Sequence, residues 1–139
     1  MLSADAQLRH AETQLLGTGG APRSDALITI DPYDVTGILD LDLDYPTGHR
    51  LSVLLAIDVS FGYPLCIQYS FHLQDARGRL VFRYDNAPHH RELPTFPHHK
   101  HVQFGAGRPR LIAHQQPSLA EVIREVWERI GQSTLQGQQ

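Results

Sequence analysis

Ile67-Gln-Tyr-Ser-Phe-His-Leu-Gln-Asp-Ala-Arg-Gly-Arg-Leu-Val-Phe-Arg-Tyr84 has the pattern of a β-hairpin. Ile67, Tyr69, Phe71 and Leu73 share one face of an extended chain, and Leu80, Phe82 and Tyr84 share one face of the returning strand. Asp75-Ala-Arg-Gly78 between them has the composition of a four-residue connection. Pairing Gln74 with Arg79 sets His72 opposite Val81, Ser70 opposite Arg83 and Gln68 opposite Asp85. His72 and Arg83 then become diagonal neighbours on the more polar face. A slip of one residue would break that geometry.

Upstream the same alternation continues. Leu51, Val53, Leu55 and Ile57 mark one strand. Leu39, Leu41, Leu43 and Tyr45 mark another, joined to it by the loop Pro46-Thr-Gly-His49. Asp40, Asp42 and Asp44 fill the opposite face of the latter strand. Such a stripe reads as a solvated face that discourages edge pairing, with cation binding the alternative. Ala26–Ile30 is a short strand stopped by Asp31-Pro32. Before it, Ser3 caps a short helix with Leu8, Ala11, Leu15 and Leu16 on one side, closed by Gly17-Thr-Gly-Gly-Ala-Pro22.

Downstream, Asn86–Gly107 loses the regular pattern, and Leu93, Phe96, Val102 and Phe104 are expected to pack it down. Leu111-Ile-Ala is a last short strand. Pro117-Ser118-Leu-Ala-Glu121 is a capping box opening a helix whose apolar stripe is Leu119, Val122, Ile123, Val126, Trp127 and Ile130, with Trp127 expected in the core. Gly131 is the expected stop, leaving 132–139 as a frayed tail. These signals predict an α+β domain over 1–131, with a curved antiparallel β-sheet of about five to six strands flanked by an N-terminal and a C-terminal helix.

The 139 residues, 41% hydrophobic and 19% charged, suit one globular domain. Cys66 is the single cysteine, so neither an internal disulfide nor a thiolate zinc cage is available. The start lacks a basic-plus-apolar leader, and no apolar run nears the roughly 20 residues of a membrane span. A cytoplasmic protein without membrane contact is expected.

The net charge of −3 hides an uneven distribution. Before Arg77, three basic residues (Arg9, Arg23, Arg50) stand against ten acidic ones. From Arg77 to Arg110, seven (Arg77, Arg79, Arg83, Arg91, Lys100, Arg108, Arg110) stand against Asp85 and Glu92. An anionic ligand is drawn to the second block and repelled by the first.

That basic block contains Asp85-Asn-Ala-Pro-His-His-Arg-Glu-Leu-Pro-Thr-Phe-Pro-His-His-Lys-His101, with five histidines in two clusters. Imidazole serves as both acid and base near neutral pH. Two histidines, or a histidine and a lysine, set across a phosphodiester suit metal-free RNA cleavage. Arg83 or Lys100 would stabilise the charge growing on phosphorus. The candidate catalytic residues are His72, Arg83, Asp85, His90, His98, His99, Lys100 and His101. Tyr69, Asn86, His89, Arg91 and Phe96 are candidate substrate contacts. The competing chemistry is metal binding. In an extended chain His99 and His101 point one way and His98 the other, so the run alone does not converge on an ion. No metal ligand and no cofactor are assigned.

Tyr69-Ser-Phe-His72, Asp75-x-x-Gly-Arg-Leu80, Arg83-Tyr-Asp-Asn86, Pro88-His-His90 and Leu93-Pro-Thr-Phe-Pro-His-His-Lys-His101 together resemble the ordered motifs of the TumE family of type II toxin–antitoxin toxins. The match is dense over 69–101 and weaker at the Pro-Ser-Leu-Ala-Glu helix start. Residues 1–60 are similar in length and strand pattern alone. Arg91 stands where proline is expected, a departure that leaves the histidines untouched. The resemblance implies a toxin that inhibits growth when it is not bound by a cognate protein antitoxin encoded by an adjacent gene. An RNA target is an analogy with other such toxins. A non-catalytic module, whose loop holds a metal, an anionic ligand or a partner protein, is the alternative.

Overall fold

The computed structural model describes residues 1–103 and 105–137. Among these, the chain runs α1 (Ala4–Leu16), β1 (Ala21–Pro22), β2 (Leu27–Ile30), β3 (Thr36–Asp44), β4 (Arg50–Asp58), β5 (Leu65–Gln74), β6 (Leu80–Asp85), β7 (His99–Val102), β8 (Arg110–Ala113) and α2 (Leu119–Gly137). All pairings are antiparallel, in the order β1-β3-β4-β5-β6-β7-β8, with β2 also pairing β3. The α+β architecture with a helix at each end is the one expected, but eight strands replace five to six. One addition, β1, is a two-residue pairing with β3. The other, β7, lies inside the segment read as irregular. His-Lys-His-Val carries no apolar alternation, and strand propensity depends on neighbours. Here ladders to β6 and β8 on both sides make it a strand.

The hairpin register differs from the expectation. His72 pairs with Arg83 and Ser70 with Asp85, two residues from the predicted partners. The turn closes on Asp75 and Arg79, whose backbone bond is 2.9 Å, with Gly78 at φ +77. The Asp75 carboxylate accepts the amides of Arg77 and Arg79, which favours this closure. An irregularity between Leu73 and Gln74 supplies the rest of the shift. Because the shift is even, each side chain keeps its predicted face. His72 and Arg83 are therefore direct partners, not diagonal ones.

Both helices contribute to a core on one face of the sheet. Leu8, Leu15, Val122 and Val126 join Leu39, Leu41, Leu43, Val53, Phe71 and Phe82 in one buried cluster. Ser3 caps α1 by accepting the Ala6 amide, whereas Leu16, expected on the buried side, is exposed. Ser118 caps α2 through the Glu121 amide and donates to the Glu121 carboxylate. Two expectations for α2 also fail. Trp127 is 55% exposed, because it sits at the margin of the stripe and reaches sideways to donate to the Thr18 carbonyl. α2 runs through Gly131 to Gly137, since an exposed helical glycine costs only about 1 kcal/mol against alanine. Of the expected anchors, Val102 is buried and Leu93 half-buried, Phe96 is exposed, and Phe104 lies outside the described residues, as do the last two positions of the expected tail.

Candidate active site on the outer sheet face

The registers line up residues across five strands on the face opposite the core. One row runs Asp42, Ser52, His72, Arg83, His101, and the next runs Asp40, Leu54, Ser70, Asp85, His99. The charge asymmetry of the sequence thus becomes a gradient across one surface, acidic at β3 and basic at β6 and β7. At the acidic end, Asp44 is bridged by Arg23 and Arg50.

At the basic end, Asp85 is the hub. Its Oδ1 lies 2.8 Å from His99 Nε2 and its Oδ2 lies 3.0 Å from Arg83 Nε. His99 Nδ1 meets the Pro97 carbonyl at 2.9 Å, so both ring nitrogens face oxygen acceptors and the ring is held at both ends. The Asp85 and His99 side chains are 6% and 2% exposed, whereas Arg83 is 44% exposed. The pair therefore lies under the surface and orients Arg83 upon it. His72 and His101 flank Arg83 from β5 and β7. His72 Nε2 is buried and has no hydrogen-bond partner among the described residues. Burial holds both rings below the usual imidazole range. The Arg83 charge and His101 push His72 the same way, while His101 is further lowered by His99, His90 and Arg83 and raised in part by Asp85.

The loop between β6 and β7 brings His90 over this surface. Its ring centroid is 5.1 Å from His99 and 5.8 Å from His101, and its backbone is left-handed at φ +61, at a cost of about 1–2 kcal/mol for a residue with a Cβ. The turns Leu93 N–His90 O, Phe96 N–Leu93 O and His98 N–Thr95 O fold the loop back to β7. His89 is exposed beside His90. Arg91 lies over the exposed Phe96 ring at 5.9 Å, away from the row. His90, His99 and His101 can each offer a nitrogen within 4.8 Å of the others.

Four further sequence candidates stand elsewhere. Lys100 points to the core face, where its ammonium is 2.7 Å from Glu125 and 4.5 Å from the Tyr84 ring centre. The Tyr84 hydroxyl donates to the same carboxylate. His98 also leaves the row, bonding the buried Tyr69 hydroxyl at 2.9 Å and stacking on its ring. Burial lowers the pKa of His98 and raises that of Tyr69. Asn86 clasps β5 where β6 ends, accepting the Tyr69 amide and donating to the Ile67 carbonyl. Glu125 and Thr95 escaped sequence reasoning. Thr95 donates to the His98 carbonyl and accepts the His114 amide. The signal for Glu125 was an acid beside Val122 and Val126 on an apolar stripe.

A family model described as toxin TumE matches residues 25–134. The chain belongs to the TumE toxin family. Comparison with curated proteins and with solved structures found no match. In this TumE toxin, no described helix is long and apolar enough to cross a membrane. The matched span takes in β5, β6 and β7, the three strands that build the histidine face.

Proposed function

We propose that the toxin inhibits growth by cleaving RNA at the row His72–Arg83–His101. The family supplies the toxin role, and the reaction is read from the chemistry of the face. Neighbouring strands lie about 4.8 Å apart, so a phosphodiester seated on Arg83 has an imidazole on either side. One ring takes the proton of the 2′-hydroxyl, the 2′-oxygen attacks phosphorus, and the bond to the 5′-oxygen breaks. The other ring protonates the leaving oxygen, giving a 2′,3′-cyclic phosphate and a 5′-hydroxyl end. Arg83 stabilises the charge on the phosphoryl oxygens. Asp85 and His99 are positioning residues beneath it.

The observation that supports this reading most is a guanidinium flanked directly by two histidines in one cross-strand row. A cognate protein antitoxin from the adjacent gene would neutralise the toxin by covering this face. In cells expressing the toxin alone, His72→Gln and His101→Gln should each restore growth while the purified variants stay folded. RNA cut by the wild-type protein in EDTA should carry the ends named above. Undiminished toxicity in both variants would favour a non-catalytic binding role.

A further inference from the structure

The geometry points to a binding site for one divalent transition-metal ion, of the zinc class, formed by His90, His99 and His101. Their ligand nitrogens lie within 4.8 Å of one another. A tetrahedral zinc with bonds of about 2.0–2.1 Å holds its nitrogens roughly 3.4 Å apart, so closure takes side-chain movements of roughly 1–1.5 Å. The ring planes meet at 75°, 68° and 86°, so the three rings do not stack on one another.

Two strand positions and one loop position create the set. His99 and His101 share a face because they are two apart on β7, and the left-handed backbone of His90 turns the loop over them. The pair on β7 is backed by ladders on both sides, which is the rigid base a metal site requires. His99 Nδ1 is already held by the Pro97 carbonyl, the kind of outer contact that fixes a ligand ring. Its Nε2 would face the ion once it releases its proton to solvent and gives up its 2.8 Å contact with Asp85 Oδ1, which leaves that carboxylate at hand to complete the set. His90 and His101 are partly exposed, so an ion can enter from solvent. Three imidazoles select zinc, copper or nickel over magnesium or calcium.

An ion there takes His101 out of the row that flanks Arg83. Resting on the cleavage reading, metal binding is therefore an off-switch for the same surface.

The test uses untagged full-length protein, stripped with EDTA, dialysed and titrated with cobalt(II) alone. The visible absorption of four-coordinate cobalt should saturate at one equivalent and bleach when zinc is added. His90→Gln and His101→Gln should each weaken cobalt binding by at least about tenfold, the scale on which even outer partners of a metal site act. His10→Gln and His114→Gln should not. His90→Gln changes a loop residue, and thermal melts of the metal-free variants verify the fold. Failure to bind, or binding insensitive to His90→Gln, would overturn the site, since adventitious capture by the His98–His101 run alone does not need His90. Cobalt uptake by a protein that never cleaves RNA would keep the site and discard the cleavage reading. Cleavage by a protein that takes up no cobalt would do the reverse.

Discussion

Asp85 on β6 and His99 on β7 face each other across the ladder, carboxylate to imidazole at 2.8 Å, with both side chains almost wholly buried. The same carboxylate holds Arg83, so one buried group ties two strands and one exposed cation together. Asp85→Asn keeps the shape and removes the charge. Hydrogen bonds to charged groups contribute about 1.5–3 kcal/mol each, so a loss of about 2–3 kcal/mol in urea denaturation is expected, with toxicity lost as Arg83 is released. A variant of unchanged stability would show that the pair is not a structural anchor.

His72→Leu should leave the melting temperature nearly unchanged or raise it slightly, because it removes a buried nitrogen that has no partner among the described residues. If His72 transfers a proton, single-turnover RNA cleavage should slow by about 10²–10⁴-fold. Loss of fold together with loss of activity would assign the residue a structural part instead.

Lys100 and Glu125 form a largely buried pair on the core face, with side chains 11% and 13% exposed. Lys100→Met removes the nearest cation from a carboxylate that keeps the Tyr84 hydroxyl and Arg129, and should cost about 1.5–3 kcal/mol in chemical denaturation. Adding Glu125→Leu should recover part of that loss, since a packed apolar pair replaces a buried ion pair at little cost while the Tyr84 hydroxyl loses its acceptor. The double variant should remain toxic. A folded but harmless double variant would bring Lys100 back into the chemistry.

His49 is buried at the β3–β4 turn, with its Nδ1 2.7 Å from the Thr47 hydroxyl. Burial lowers its pKa, and Asp75 offsets this in part. The unfolded chain therefore binds a proton near the ordinary value of about 6.5, while the folded chain does so only at lower pH. Its contribution to stability is complete above about pH 6.5 and falls as the pH drops through the window down to the folded value. Urea midpoints at about pH 7.5 and pH 5.5 should fall less in His49→Gln than in the wild type. An equal fall in both would exclude His49 as a source of acid sensitivity.

Alternating side chains made β3, β4, β5 and β6 legible in the sequence, and the Ser3 and Ser118 caps marked both helix starts. These are local signals, carried by spacing and by short-range hydrogen bonds. The face of His72 and Arg83 was legible too, because a register change of two residues preserves parity. The histidine count and the basic block marked the region of interest, and the ordered motifs marked the family.

Tertiary structure decided which of those residues meet. β7 exists because β6 and β8 pair with it on either side, and that pairing sends His99 and His101 to the outer face while Lys100 turns inward to Glu125. His98, one residue from His99, is taken to Tyr69 instead. His90 joins the cluster through a loop whose turns no periodicity encodes. Composition thus determined how many imidazoles the segment carries. Long-range strand pairing, whose partners are distant in the chain, determined that three of them converge beside Arg83.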